Sequence, residues 1–228
     1  MNFIAFVEGP LVWIAFLTFL LGSALRLLLF FTLSSKKDKP VYRFFNLKWM
    51  LLSIARWLFP ANVDLKKNPI FASLGYIFHI CLLAVPLFYS AHLMLWEESR
   101  FKWSWWTMPD HWADWMTLTL LAIALFFIIR RIVLPGVRII TTPSDYLLIV
   151  ICALPFLTGY INTHPDGLSY QWITSALPIY GQYGTTIHIM SGALMLIVVP
   201  FTKLSHWVLF FVSRAVTGME FGRRNYPV

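Results

Sequence analysis

With 228 residues, 59% of them hydrophobic and only 12% charged, the chain cannot cover itself with a polar surface; soluble domains average about 25% charged residues. A mean hydropathy of +0.70 makes it an all-α integral membrane protein, a single domain of consecutive apolar segments over residues 1–228 with no room for a separate soluble core. The net charge of +8 gathers in the loops between those segments, the pattern of a membrane orientation signal, and this excludes nucleic acid as its partner.

A helix needs about 20 apolar residues to cross the hydrocarbon core. Five spans are therefore expected, at roughly 10–33, 73–95, 113–134, 144–163 and 183–205. The first has Glu8 as its only early charge, runs long and lacks a small-residue cleavage pattern, so it reads as a retained span. A basic insert follows at 34–69. Within it WMLLSIARWLF, 49–59, is too short to span and reads as a helix in the inner interface, ended by Pro60. The insert either binds headgroups or docks a soluble partner, and its length favours docking.

The second span, SLGYIFHICLLAVPLFYSAHLMLW at 73–96, carries His79 and His92 and no Lys, Arg, Asp or Glu. The loop after it, WEESRFKWSWWTMPDHWADW, is rich in tryptophan, as an aromatic belt would be. The fourth span opens on ITTPSDYLL: Thr142 can cap, Pro143 suits the first helical position and Asp145 favours the positive end of the helix dipole. His164, in INTHPDG, sits in a stretch that turn chemistry explains. The fifth span, in TTIHIMSGALMLIVVPFTKLSHWVLFF, brings His188 and His206. Cys81 and Cys152 stand singly in apolar runs without CxxC or CxxCH, so they read as buried structural thiols.

All but two of the 18 Lys and Arg fall on one side of this five-span arrangement, the exceptions being Arg100 and Lys102. The positive-inside rule then sets the N-terminus outside and the C-terminus in the cytoplasm. Spans two and five run antiparallel. His79 and His206 are expected towards the cytoplasm, and His92 and His188 towards the outside.

Ionisable groups within spans are costly and mark function by default. On an ideal helix the eighteen residues from His188 to His206 make five turns, placing both on one face about 27 Å apart. The thirteen from His79 to His92 rise about 20 Å and turn about 220° beyond full rotations, so these two do not share a face. Pro86 and Pro200 lie between the members of each pair and can kink both helices. Two facing imidazole pairs suit bis-histidine haem ligation in a helix bundle. Interhelical hydrogen bonding and a proton relay are the competing readings.

Three stretches carry a resemblance: FHICLLAVPLFYSAH, RRIVLPGVRIITTPSDYLL and HIMSGALMLIVVPFTKLSHW. Together they resemble the gamma subunit of respiratory nitrate reductase, a five-span, di-haem cytochrome b, over nearly the whole chain outside 34–69. The resemblance implies two haem b groups in a bacterial inner membrane protein. His79 and His206 would hold the haem nearer the cytoplasm, and His92 and His188 the one nearer the outside. It also implies a quinol site, menaquinol or another quinone, beside the outer haem and an iron–sulfur subunit on the cytoplasmic face. Arg138 and Lys203 are its candidates for holding the inner propionates, with snorkelling to headgroups the alternative.

The glycine before the outer ligand and the lysine at the foot of the third span in that family read Ala91 and, approximately, Ala113 here, so that lysine is not carried over. The insert instead resembles related cytochrome b subunits of sulfate reducers' transmembrane redox complexes, whose partner looks like a heterodisulfide reductase iron–sulfur subunit. His111 would suit a proton acceptor from a quinol, with Asp110 or Asp114 tuning it, or is a solvated histidine in the aromatic belt. The expected function is electron transfer between the quinone pool or a periplasmic cytochrome c and a cytoplasmic iron–sulfur subunit, with no side chain assigned a catalytic role. A haem-free membrane anchor or proton-conducting subunit is the alternative.

Overall fold

The computed structural model of the chain describes residues 2–37, 45–59 and 68–226. Lys39, Arg43, Pro60, Lys66 and Lys67 of the basic insert lie outside them. The described residues are helical, with no strand among them. Five helices are long and apolar enough to cross a membrane: Phe3–Lys37, Pro69–Phe88, Asp110–Val133, Pro143–Thr163 and Ile179–Phe201.

In chain order, a helical turn and a π-helical stretch, Val7–Leu11, lead into α1, Val12–Lys37. Pro10 lies in that stretch and has no N–H to donate, a usual reason for the ladder to slip. Then come α2 (Leu47–Leu58), α3 (Pro69–Phe88), α4 (Ser90–Glu97) and α5 (Asp110–Val133). After the turn Pro135–Arg138 follow α6 (Pro143–Thr163), α7 (Leu168–Ala176), α8 (Ile179–Val198), two 3-10 turns, and α9 (His206–Arg223). The chain forms two compact units, Phe71–Gly192 and Met1–Ile70 with Ala193–Val228.

In the second of these units α1 meets the end of α8 closely. A Cβ at Gly22 would lie 2.8 Å from the Pro200 ring. One turn on, Arg26 Nε donates to the Pro200 carbonyl at 2.7 Å, satisfying an oxygen at the end of a broken helix. Phe19 stacks on Trp207 at 4.7 Å. The interface helix expected at 49–59 is α2, capped by Asn46, whose side-chain oxygen accepts from Trp49 N–H at 3.3 Å. It lies against α9, where Gly218 and Gly222 leave room for it: a Cβ at Gly218 would come 2.5 Å from Ser53 Cβ, and one at Gly222 would overlap the Trp49 indole. The Arg214 guanidinium covers the Trp57 ring at 3.8 Å. Trp49, Ser53 and Trp57 thus face α9 at four-residue intervals, while Leu47, Leu51 and Leu58 are exposed. Gly222→Leu is expected to push Trp49 aside at a cost of about 1–3 kcal/mol, seen as a lower thermal unfolding midpoint. At the end of α9, hydrogen bonds from Arg223 and then Arg224 hold the Glu220 carboxyl below its ordinary range.

In unit Phe71–Gly192, α5 packs on α6. Phe127 of α5 meets Phe71 and Phe78 of α3 at 5.5 and 5.8 Å, and Arg130 lies over Phe71 at 4.3 Å. The start of α6 is as its sequence suggests. Pro143 is the first helical residue, and Asp145 reaches back to accept from the Thr142 N–H at 2.8 Å.

Two of the runs read as continuous spans are interrupted. The helix of span two ends at Phe88; Tyr89 is extended (φ −72°, ψ 132°), and Ser90 begins a new helix. The freed carbonyls are capped from the tryptophan loop: Trp105 Nε1 donates to Leu87 O and Met108 N to Phe88 O, each at 2.8 Å. In span five the ladder of α8 stops at Val198, and after a 3-10 turn containing Pro200, Thr202 is extended (φ −122°, ψ −169°).

Candidate functional site

The break at Tyr89 places His92 on α4, a different helix from His79, so the rotation counted along an unbroken helix no longer describes these two. The end of α8 at Val198 likewise removes the five continuous turns assumed between His188 and His206. What the break allows is an approach of His92 to His188. Their ring planes are parallel to within 3°, with centroids 6.0 Å apart.

That separation is informative. A direct hydrogen bond between the rings, about 3 Å from nitrogen to nitrogen, would set the centroids nearer 5 Å. Two imidazoles on opposite sides of one metal need about 2 Å from each nitrogen to the metal and about 1 Å from each nitrogen to its ring centre, or about 6 Å in all. The observed spacing fits the second arrangement.

The surroundings of His188 hold its ring in that pose. Thr158 Oγ1 lies 3.1 Å from His188 Nδ1 and 2.9 Å from Leu154 O. A hydroxyl has one hydrogen, and the carbonyl can only accept, so the hydroxyl donates to Leu154 and accepts from His188 Nδ1–H. Ser191 Oγ donates to His188 O at 2.7 Å and sits 3.2 Å from Thr158 Oγ1; Tyr180 O–H donates to Thr158 O at 3.2 Å. All three side chains belong to buried residues. Gly159 completes the seat, because a Cβ there would stand 3.1 Å from His188 Cε1. Beside His92, the Tyr89 ring makes an edge contact at 5.6 Å.

His79 and His206 are each described within their own unit. His79 Nδ1 donates to Gly75 O at 2.7 Å, and His206 Nδ1 donates to Lys203 O at 3.0 Å. In His79, His188 and His206 alike Nδ1 donates to an oxygen, an orienting bond of the kind that accompanies metal ligation through Nε2. His79 is exposed although it lies mid-span. Among the described residues no three His, Cys, Asp or Glu side chains converge on a common point. His92 and His188 are a donor set of two imidazoles, the number that would suit a metal bringing its remaining ligands with it.

Thr158→Val is expected to remove the side-chain acceptor of His188 Nδ1–H and leave the ring to the Pro155 carbonyl. Metal affinity at that ring should fall about 10–100-fold, measured by haem retention on titration with apomyoglobin, while Thr158→Ser should restore it.

The remaining residues singled out from the sequence are spread more widely. Arg138 ends the turn Pro135–Arg138 and Lys203 begins a 3-10 turn; both are exposed. Arg26, the one basic residue of the run 10–33, donates to the Pro200 carbonyl. His111 is exposed, its ring 6.3 Å from that of Trp112. Asp110 accepts a long hydrogen bond, 3.4 Å, from Ser90. Asp114 pairs not with His111 but with His164, Oδ2 to Nε2, at 3.4 Å. The turn chemistry at His164 is present, Gly167 N donating to His164 O at 3.0 Å, and the ring has this second contact besides.

No family model and no solved structure matches the chain. It is similar to a protein of Nitratidesulfovibrio vulgaris, with 36% identity over 224 residues that cover 95% of this chain and 92% of that one. At that identity over nearly the full length of both, the chain belongs to the family of that protein.

Proposed function

We propose that the chain is a di-haem cytochrome b, the membrane subunit of a respiratory redox complex in a bacterial inner membrane. The observation that carries this reading is the pair of parallel imidazoles, His92 and His188, set 6.0 Å apart. His92 and His188 would hold one haem. His79 and His206 are the ligands the family resemblance assigns to the second, and each ring is oriented by an Nδ1 bond to a backbone carbonyl of its own segment. Bound, haem b supplies reversible one-electron transfer, tuned by its axial ligands and burial.

The protein's own contribution is orientation. Thr158 fixes the tautomer of His188, Gly159 and Ser191 fix where its ring and backbone lie, and Trp105 stabilises the break that brings His92 across. The twelve residues between them, with Pro86 the one proline, would otherwise keep His92 on the helix of His79.

The charge distribution orients the N-terminus outside and the C-terminus in the cytoplasm. A quinol, menaquinol by the family resemblance, or a periplasmic multihaem cytochrome c then meets the His92–His188 end. An iron–sulfur subunit, similar to that of heterodisulfide reductase or to the nitrate reductase beta subunit, meets the basic face. An electron moving inward works against the membrane potential by about 2.3 kcal/mol at 100 mV, so a redox drop must exceed that. A pyridine haemochrome assay on the purified chain tests the reading. About two b-type haems per chain are expected. A folded preparation with none would leave the haem-free anchor.

A further inference from the structure

Asp114 and His164 come from different helices, the start of α5 and the end of α6, and meet at a water-accessible edge, each with its side chain 35% exposed. The hydrogen bonds of the His164 ring define what can lie between them. Its Nδ1 is 2.9 Å from Tyr160 O, which only accepts, so Nδ1 carries a hydrogen. The Thr163 hydroxyl, 3.0 Å away, sends its own hydrogen to the carbonyls of Gly159 or Tyr160 and so accepts as well. Nε2 then points its lone pair at Asp114 Oδ2, an acceptor facing an acceptor, unless one proton lies between them. The Tyr160 ring, stacked on His164 at 4.3 Å, keeps the imidazole in this pose.

Asp110 lies one turn from Asp114 on α5 and accepts from Ser90, the first residue of the helix that carries His92. The start of α5 thus reaches the helix that presents His92.

We infer that Asp114 and His164 form a one-proton exchange site that receives the protons of a quinol oxidised at this end of the molecule. The inference rests on the reading of the chain as a quinol-linked cytochrome b and deepens it. A quinol becomes a quinone by losing two electrons and two protons. The electrons go singly to ferric haem as oxidant, reducing it to the ferrous state. The proton between Nε2 and Oδ2 leaves to water and one O–H proton of the quinol replaces it, twice per quinol, so the pair ends each turnover as it began. Asp114 and His164 act together, because the proton is held in the 3.4 Å contact between them.

The test compares wild type, Asp114→Asn, His164→Gln and the double variant as purified haem-loaded protein, with duroquinol as reductant in stopped flow across pH. Haem reduction by duroquinol should slow about 100-fold in each single variant and little further in the double. Dithionite should reduce the same amount of haem in all of them. Glu97→Gln, an exposed acid elsewhere, should reduce at the wild-type rate. A second readout needs no turnover: 15N NMR of histidine should show a proton at His164 Nε2 in the wild type, and Asp114→Asn should remove it. Wild-type rates in the variants at every pH, or an Nε2 signal indifferent to Asp114→Asn, would overturn the inference. A wild type that dithionite reduces but duroquinol does not would instead remove the quinol-linked reading, and the exchange site with it.

Discussion

Replacing either His92 or His188 by alanine should remove one haem per chain and leave the other. The pyridine haemochrome yield would then fall by about half, with the helical circular dichroism intact. The reasoning is that the two rings stand on separate helices with centroids 6.0 Å apart, so alanine at either leaves a single imidazole to hold the group, too little to keep it through purification, while each helix keeps its own packing. For His188→Ala the loss should be the more complete, because the ring that Thr158 orients is itself removed, while the Ser191 bond to the backbone carbonyl at 188 has no ring left to place. If both single variants kept full haem content, the pairing would be wrong even were the protein a cytochrome.

The second large effect is expected at a residue that could never be a ligand. Gly159→Val places branched carbons where a single Cβ would already stand 3.1 Å from His188 Cε1. The ring must turn or α6 must shift, and either movement carries Nε2 off its line to the metal. Haem loss at this site should approach that of His188→Ala. Gly192→Ala serves as the contrast, since a Cβ there meets nothing within 4 Å. It should keep its haem and gain up to about 1 kcal/mol of stability from helix propensity. Absorbance of the purified variants separates the two outcomes in one measurement.

The five apolar runs were plain in the sequence because hydropathy over about 20 residues reflects a solvent rather than a partner. The start of α6 was equally plain, since Thr142, Pro143 and Asp145 act on their own helix end. The break at Tyr89 was not. Pro86 is the local sign of disturbance, yet the ladder continues past it to Phe88, and the groups that stabilise the break, Trp105 and Met108, arrive from a distant loop. Those tryptophans read as an aromatic belt, and for Trp105 the capping of Leu87 is an additional role.

The support around His188 was hidden for a different reason. Thr and Ser in an apolar helix usually turn back on their own carbonyls, as Thr158 does with Leu154, so nothing in the sequence marks Thr158 as an acceptor for a ring on another helix. Gly159 and Ser191 are visible only once α6 and α8 lie side by side. The Asp114–His164 contact is of the same kind. His164 was assigned to a turn, which it also makes, and Asp114 to a neighbour on its own helix. The helix α9 beyond the fifth span had no sequence signal of its own, and its glycines acquire meaning only from the Trp49 they admit.

Low-temperature electron paramagnetic resonance of the oxidised, purified protein addresses the central claim most directly. A haem held by His92 and His188 in their parallel pose would give a rhombic low-spin signal of its own, lost in both His92→Ala and His188→Ala while the signal of the second haem stays. A folded wild-type chain with no low-spin ferric signal, or low-spin signals that neither substitution changes, would contradict the account.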